Sequence, residues 1–295
     1  VRRAASVDAS TDSDVTVRAD RVLRLLLERA RGTVSVDPTD WPLQRASITA
    51  AITAGTRIEL ALPAFPCKSP NLDKVCGTLP DEGERLALAA LAELAHSIGD
   101  LHDPGARVTL CSDGHVFGDA IGVSDRTISE YGDRLDTLIA EHADVVRRID
   151  LADVLHADPA TARAELERDW AEPLETLRDL VRADADLRSV FLGMSRFLEA
   201  DHPDDGSASR RSRRRLGKDR AYVVLQRSRA WGRLVAARLP DATRLSIHPQ
   251  PTGSAKLGIA LLPGGDRWAT PWHTVALYER GAPRLVTHAE ARSLG

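Results

Sequence analysis

A loop with three prolines carries three polar side chains that could bind an anion. The side chains are Lys68, Ser69 and Asn71, and the prolines are Pro63, Pro66 and Pro70. Proline fixes φ and lacks a backbone N–H, so this segment can neither extend a strand nor begin a helix. A backbone with little freedom to lose suits a site for a small anion. Lys68 is then a phosphate or carboxylate clamp or an amine whose pKa is lowered by burial, and the alternative is a surface lysine on a turn.

A second polar group follows the apolar run at residues 107–111. It comprises Ser112, Asp113, His115 and Asp119. An imidazole beside a carboxylate titrates near neutral pH, so Asp113 and His115 could form an acid/base pair. The alternative is an Asx-turn that ends a strand, which Asp-Gly commonly forms.

The last third of the chain adds further polar and aromatic candidates. They are Arg227, Arg244, Ser246, His248, Lys256, Trp272 and His273. His248 ends an apolar alternating segment and precedes Pro249, a position where a histidine is more often structural. For His273, a place at the edge of the core is as consistent with the sequence as a functional role. Lys256 adds a cation near His248.

The elements that must position these residues alternate between strands and helices. Strands are predicted over residues 57–62, 107–111, 144–149, 244–248 and 273–278, and helices over 17–31, 42–54, 81–98, 125–142 and 220–238. This order is typical of an α/β fold with a mostly parallel sheet flanked by helices. Ligands of such sheets bind outside the carboxyl ends of the strands. The polar groups that follow three of these strands are therefore expected to share one crevice.

The rest of the chain predicts one domain with an inserted segment. Residues 1–16 are expected to be a disordered terminus, and residues 17–295 a single α/β domain. Residues 159–220 are interpreted as a helical insertion or lid that ends in a mobile basic linker. The cations of the linker are Arg210, Arg211, Arg213, Arg214, Arg215 and Lys218. It is most simply a solvated tether, and the alternative is a lid that orders around an anionic substrate.

Composition narrows the class of protein. The 40 basic and 43 acidic residues nearly balance, at a net charge of −3, which argues against a nucleic-acid-binding protein. Cys67, Cys76 and Cys111 show no disulfide or zinc spacing, and no pair among the nine histidines has a metal-site spacing, so no metal is predicted. Neither a signal peptide nor a membrane span is evident, and we expect a cytoplasmic protein.

Five ordered motifs carry a resemblance to a known family. They are Phe65-Pro66-Cys67-Lys68-Ser69-Pro70-Asn71, Ser112-Asp113-Gly114-His115-Val116-Phe117-Gly118-Asp119, Gln226-Arg227-Ser228-Arg229-Ala230-Trp231-Gly232, Arg244-Leu245-Ser246-Ile247-His248-Pro249-Gln250 and Thr270-Pro271-Trp272-His273. Together they resemble the isocyanide synthase family of the pyoverdine/dityrosine-biosynthesis type. The resemblance implies a Rossmann-like α/β fold. It extends over residues 57–278, and five matches in order are more specific than any one of them.

The resemblance also implies a reaction. Family members join the amine of an amino acid to C2 of ribulose 5-phosphate and fragment the sugar to leave an isocyanide, through imine formation, phosphate loss and carbon–carbon cleavage. No cofactor or metal is needed, and ribulose 5-phosphate is a co-substrate. An iron/2-oxoglutarate oxygenase is the suggested next enzyme. Tyrosine or tryptophan is the favoured amino acid, although an aromatic content of only 4% leaves an aliphatic one open. Trp272, Phe117 and Tyr131 are the aromatic residues that could line its pocket.

Roles for the candidate residues follow from that reaction. Lys68, Asp113, His115 and His248 are predicted to be catalytic. Predicted to bind substrate are Ser69, Asn71, Ser112, Asp119, Arg227, Arg244, Ser246, Lys256, Trp272 and His273. Lys68, Arg244, Lys256 and the basic linker would supply the cations for a phosphate. The alternatives are a diverged member that forms an N-formyl amino acid and a non-catalytic protein that binds a sugar phosphate.

Overall fold

The computed structural model describes residues 8–201, 209–262 and 269–294. A sheet of five strands lies at its centre, in the order β3-β2-β1-β4-β5. The strands are β1 Ile58–Leu62, β2 Ala106–Cys111, β3 Val146–Ile149, β4 Thr243–Ser246 and β5 Leu257–Gly258. All neighbouring pairs are parallel, with Leu60 opposite both Val108 of β2 and Thr243 of β4. The predicted α/β fold with a parallel sheet is thus confirmed.

Helices cover both faces of this sheet. They are α1 Asp8–Glu28, α2 Pro42–Ala54, α3 Glu82–Gly99, α4 Gly114–Ile121, α5 Asp125–Ile139, α6 Leu151–Leu155, α7 Pro159–Trp170, α8 Leu174–Ala183, α9 Ala185–Asp201, α10 Arg210–Arg238 and α11 His288–Leu294. Leu60 and Leu62 pack into the core shared with α1, α3 and α5. Ala61 points to the other face, where Trp231 of α10 is buried. Strands covered on both faces are rich in apolar residues, and four of the five residues of β1 are apolar, with Glu59 as the exception.

Local sequence explains where several elements begin and end. Pro42 stands at the first position of α2 and Gly55 ends it with a left-handed φ of 62°. Asp81 and Glu84 form a capping box at the start of α3. The strand predictions near residues 58, 107 and 146 and the helix predictions at 42–54, 81–98 and 125–142 agree with the structure to within a few residues.

Two predictions of secondary structure were wrong, and the structure refines two others. Residues 210–220, predicted as a linker, form the first turns of α10. The N-terminal helix begins at Asp8, within the segment expected to be disordered. The turn at Asp113 is the N-cap of α4. The strand at 273–278 lies outside the main sheet, because β6 Val275–Glu279 pairs antiparallel with β7 Ala282–Val286. Part of the predicted linker, residues 202–208, lies outside the described residues.

The loop after β1 packs tightly against the start of α4. A Cβ added to Gly114 would lie 2.0 Å from the carbonyl oxygen of Pro66, so only glycine allows this approach. Phe65 adopts a left-handed φ of 57°, which is unusual for a bulky residue. Its carbonyl oxygen accepts a hydrogen bond from Ser112 Oγ at 2.7 Å. The loops that follow β1 and β2 are therefore fixed to each other.

None of the described helices is both long enough and apolar enough to cross a bilayer.

Candidate active site

The carboxyl ends of β1, β2 and β4 lie side by side, as the parallel order predicts. The proline loop leaves β1, Asp113 follows β2, and His248 follows β4. Winding reverses between β1 and β4, the position where open α/β sheets bind ligands. Some of the predicted residues bind other parts of the protein and hold this edge of the sheet together. The others face the space that is open to a ligand at this edge.

Lys68 belongs to the first group. Only 3% of the residue is exposed. Its Nζ lies 2.9 Å from Asp81 Oδ2, 2.8 Å from Glu84 Oε2 and 3.0 Å from the carbonyl oxygen of Pro271. The alternative of a surface lysine on a turn was wrong, because the first turn of α3 covers Lys68. All three N–H donors are directed to protein acceptors, so Lys68 holds the loop in place and does not face a ligand.

Ser69 and Asn71 connect the same loop to the end of α9. Ser69 Oγ donates to Asp201 Oδ1 at 2.6 Å, and Asn71 Nδ2 donates to the carbonyl oxygen of Ala200 at 3.2 Å. Lys74 lies 2.7 Å from the same Asp201 oxygen. These contacts place the helical segment α9 directly on the proline loop. Ser69 and Asn71 therefore act in this structure as anchors for α9.

His115 does not pair with Asp113. It is buried, and its Nδ1 lies 3.2 Å from Asp150 Oδ2. Burial of Asp150 opposes ionisation, but hydrogen bonds from His115 and the Asp153 amide and the charge of Arg148 outweigh it and hold the pKa of Asp150 below its usual range. The predicted Asp113–His115 acid/base pair was thus wrong. His115 faces α5 and the start of α6, where it fixes the loops around β3.

Asp119 and Arg227 form a second structural pair. Arg227 Nη1 lies 2.6 Å from Asp119 Oδ1, and Arg227 Nε lies 2.5 Å from Glu167. Arg227 is mostly buried between α4 and α7, with another hydrogen bond to the carbonyl oxygen of Val116. Both charges are satisfied within the protein. Ser112 is likewise occupied by its bond to Phe65.

Asp113 carries a buried carboxylate oxygen that no other group of the described structure satisfies. Its Oδ1 is buried and has no hydrogen-bond partner in the described structure, although the residue as a whole is only half-buried. Burial raises the pKa of Asp113 to about 7, and the nearby charge of Lys256 opposes the shift. A carboxyl group with this pKa can both donate and accept a proton near neutral pH.

A cavity of about 500 Å³ opens beside α10. It also reaches Arg244 near the start of β4 and Lys256 just before β5. We call it the cationic pocket, lined by Ser228, Arg229, Gly232, Arg233, Ala236, Arg244 and Lys256. Arg244 donates from Nη2 to the carbonyl oxygen of Gly232 at 2.9 Å. Lys256 is half-buried and makes no hydrogen bond or ion pair with any described residue. Burial and the charge of Arg244 lower the pKa of Lys256, with Asp113 acting in the opposite direction.

His248 follows β4, the strand that also carries Arg244 of this pocket. Its backbone N–H donates to Ser246 Oγ at 3.0 Å, so Ser246 shapes the turn. The His248 ring is accessible to solvent although protein surrounds much of it. Desolvation lowers the pKa of His248, and the charges of Arg31 and Lys256 add to the effect. The imidazole is therefore neutral at physiological pH and able to accept a proton.

Trp272 and His273 bound the opposite side of this edge. Trp272 is buried against Phe65, with ring centroids 5.2 Å apart, and forms a wall of the core. His273 Nδ1 lies 2.9 Å from Thr270 Oγ1, and its ring meets the edge of Phe197 at 4.8 Å. Burial lowers the pKa of His273 to about 4, with Asp201 opposing and Lys74, Lys68 and His248 adding to the shift. His273 is thus close enough to His248 for their charges to interact.

Two aromatic predictions need correction or refinement. Tyr131 cannot line a ligand pocket, because it is buried in the core and its hydroxyl donates to Glu84 at 3.2 Å. Phe117 packs between α4 and the helices of the insertion. Phe197, which the sequence analysis did not select, presents a partly exposed ring beside His273.

Sequence analysis also missed two arginines of the cationic pocket. Arg229 and Arg233 lie one turn apart on α10 and face the same side. Their i, i+4 spacing was visible in the sequence. Trp231 lies between them in the sequence and is buried in the core. Its burial shows which face of α10 is turned toward the core and which face carries the arginines.

Comparison with known proteins assigns a family to this arrangement. Residues 48–294 match the family described as pyoverdine/dityrosine biosynthesis protein. The chain belongs to this family. The resemblance predicted from the five motifs is thereby confirmed.

Relatives of the pyoverdine/dityrosine biosynthesis family match most of the chain. An L-tyrosine isonitrile synthase of Pseudomonas aeruginosa is 42% identical over 86% of this chain and 79% of its own length. An L-tryptophan isonitrile synthase of Fischerella ambigua is 38% identical over 81% of this chain and 73% of its own length. The crystal structure of the PvcA protein from Pseudomonas aeruginosa superposes with a TM-score of 0.88, at 39% identity, covering 94% of each chain.

Within this family member, residues 8–201, 209–262 and 269–294 contain no group of three or more His, Cys, Asp or Glu side chains that could hold a metal ion.

Proposed function

We propose that this protein is an isocyanide synthase that converts the amino group of tyrosine or tryptophan to an isocyanide, with ribulose 5-phosphate as the carbon donor. The observation that carries the proposal is Lys256, a half-buried cation that makes no hydrogen bond or ion pair with the described residues and lies near Asp113, whose Oδ1 is buried without a hydrogen-bond partner. A cation in such a position favours an anionic ligand. The names of two relatives, 42% and 38% identical, supply the reaction class.

The cationic pocket fits the phosphate of the sugar. Arg244 lies near the start of β4 and Lys256 immediately precedes the neighbouring strand β5, and each has its pKa lowered by burial. A dianionic phosphate would restore the charge balance of both side chains. Loss of phosphate during the reaction would in turn be assisted by cations on the leaving group.

Asp113 and His248 are suited to the proton transfers. Imine formation at the ketone requires an acid that protonates the departing hydroxyl, and tautomerisation requires a base. Asp113, with a pKa of about 7, holds a proton in part of the molecules at neutral pH, and His248 is neutral. Asp113 follows β2 and His248 follows β4, at the same edge of the sheet. Both interact with the charge of Lys256. We assign the acid/base roles to them, and assign Lys68 and His115 to holding the loops that carry the site.

The amino acid would lie on the His273 side. The charge of Lys256 lowers the pKa of His248, and a protonated His248 would lower that of His273, so His248 is near both residues. Phe197 offers an exposed aromatic ring for the side chain of tyrosine or tryptophan, and such ring contacts add to burial. This arrangement would bring the amine and the ketone together near His248.

Incubation with ribulose 5-phosphate and a panel of amino acids tests the proposal. Isocyanide is trapped with a tetrazine and identified by mass spectrometry, and released phosphate is measured in parallel. We expect both products with at least one aromatic amino acid. Early time points separate an isocyanide from an N-formyl product, because hydration of the isocyanide also yields a formamide. Absence of phosphate release across the whole panel would contradict the proposal.

A further inference from the structure

The cationic pocket contains more positive charge than its two predicted residues supply. Arg229 and Arg233 join Arg244 and Lys256 around one cavity of about 500 Å³. This volume exceeds that of a phosphate ion and is within the range of pockets for small metabolites. Four cations around one cavity repel each other, so a bound anion would stabilise the arrangement.

One carboxylate fixes the two arginines of α10. Glu172, in the link between α7 and α8, accepts from Arg229 Nε at 2.5 Å and forms a second ion pair with Arg233. Arg233 Nε also donates to the carbonyl oxygen of Trp170 at 2.8 Å. Glu172 itself is largely buried. The arginines are therefore held by one edge of their guanidinium groups.

The remaining edges of these arginines stay accessible. The side chain of Arg229 is 38% exposed and that of Arg233 is 41% exposed, and both contribute to the wall of the cavity. Glu172 contributes one negative charge, against the four positive charges of the cations that line the pocket. The pKa of Asp113 is raised to about 7, so its carboxyl group is only partly ionised at neutral pH. The pocket thus retains a net positive charge at neutral pH.

Gly232 keeps the centre of this wall open. It lies between the arginines on α10, and a Cβ added there would come 3.5 Å from Arg244 Nη2 and 3.8 Å from Lys256 Nζ. A side chain at this position would occupy the space between the cations. The hydroxyl of Ser228 lines the same cavity and can donate to an anion.

We infer that Ser228, Arg229 and Arg233 of α10 form the second wall of a phosphomonoester subsite, opposite Arg244 and Lys256, with Glu172 as the positioning residue for the two arginines. This inference rests on the proposed function for the identity of the ligand as a sugar phosphate. A phosphate group offers three oxygens and up to two negative charges to donors from several directions. A carboxylate offers two oxygens in one plane and one charge, and would leave part of the pocket unpaired.

The subsite has a kinetic consequence. Inorganic phosphate released from the sugar contains the same oxygens and charge, so it would occupy the pocket after turnover. It should inhibit competitively with ribulose 5-phosphate and not with the amino acid.

Binding of inorganic phosphate, measured by calorimetry, tests the subsite directly. The variants are Arg229→Gln, Arg233→Gln and Lys256→Met. Arg126→Gln is the control, because Arg126 is exposed on α5 and does not line the pocket. Each pocket variant should bind phosphate about tenfold more weakly or worse, whereas the control should stay within about twofold of the unchanged protein. Lys256→Met breaks no hydrogen bond or ion pair with the described residues and is expected to fold, as circular dichroism would show.

Two results of the phosphate-binding measurement would overturn the subsite. One is phosphate affinity that is absent, or equal in all variants. The other is displacement of phosphate by acetate at equal concentration, which would indicate a carboxylate site. Turnover separates this inference from the proposed function. Phosphate binding that depends on the pocket, without isocyanide from any amino acid, would contradict only the function. Isocyanide formation with an unchanged KM for ribulose 5-phosphate in all three variants would contradict only the subsite.

Discussion

The Nζ atom of Lys68 lies 2.8 Å from Oε2 of Glu84, and both side chains are almost completely buried. This ion pair joins the proline loop after β1 to the first turn of α3. Burial raises the pKa of Glu84 to about 7, and the charge of Lys68 opposes the shift. The pair thus supports the loop on which the edge of the site is built.

Removal of Lys68 should destabilise the fold. Lys68→Met leaves Glu84 without its cation, and loss of one partner of a buried pair lowers the free energy of unfolding by about 3 kcal/mol. Urea denaturation measures the loss. The double variant Lys68→Met with Glu84→Gln should recover part of it, because no unpaired charge remains. Unchanged stability together with abolished turnover would instead support the predicted catalytic role of Lys68.

Asp113→Asn should stabilise the protein more at high pH than at low pH. The folded-state pKa of Asp113 is raised to about 7, above its unfolded value, so the folded protein holds a proton that the unfolded chain has lost between these pKa values. Wild-type stability therefore falls as pH rises from about 4 to about 7 and levels off above that range. The variant avoids this loss. Urea denaturation at about pH 5 and about pH 8 should show a larger difference between the proteins at pH 8.

The control for this prediction is Asp103→Asn. Asp103 is exposed and makes no hydrogen bond or ion pair with the described residues. Its substitution should alter stability equally at both pH values. The more stable Asp113→Asn protein should nevertheless turn over about a hundredfold more slowly or worse, as expected for loss of an acid/base group. Full activity in this variant would remove Asp113 from the mechanism.

Gly232→Ala should separate stability from substrate binding. A Cβ at this position makes ordinary contacts of 3.5 and 3.8 Å with Arg244 and Lys256, so the protein should fold. Alanine inside a helix is favoured over glycine by up to about 1 kcal/mol, which should raise the melting temperature. The methyl group occupies part of the cationic pocket, so KM for ribulose 5-phosphate should rise several-fold. Gly193→Ala in α9 is the matched control, because a Cβ there meets open space and KM should not change.

Phe197→Ala should weaken binding of an aromatic amino acid. The Phe197 ring is 41% exposed and meets His273 edge-on, and loss of an aromatic contact weakens binding by about 1 kcal/mol. KM for the amino acid should rise about fivefold, with KM for ribulose 5-phosphate unchanged. Leu192 of the same helix is equally exposed, and Leu192→Ala should leave both values unchanged. An equal change in both variants would place the amino acid elsewhere.

Much of the fold was predictable because its signals are local. Mostly apolar residues and the proline at 63 define β1, and the capping box of Asp81 and Glu84 marks the start of α3. β5 was missed because two residues, Leu257 and Gly258, are too few to show a period. The start of α10 was missed because its first turns are polar. Contact with α9 fixes it there, where a Cβ on Gly217 would lie 3.0 Å from the carbonyl oxygen of Ser195.

The candidate site was less predictable because its contacts are distant in sequence. The sequence placed Lys68 on a rigid loop, but its acceptors come from Asp81 and from Pro271, 203 residues away. These distant acceptors decide whether the lysine binds a ligand or supports the fold. The spacing of neighbouring residues in the sequence gives no information about them. Asp113 was selected because it follows a predicted strand, and Lys256 because it adds a cation near His248. That Asp113 Oδ1 is buried without a hydrogen-bond partner became evident only from the packed structure.

The central claim is that a carbon atom of ribulose 5-phosphate becomes the isocyanide carbon on the amino-acid nitrogen. The most direct measurement uses ribulose 5-phosphate labelled with carbon-13 at C2, together with tyrosine or tryptophan, and mass spectrometry of the trapped product. The account predicts an isocyanide that carries the label, accompanied by an equal amount of released phosphate. An unlabelled isocyanide, or no isocyanide with either amino acid, would contradict it.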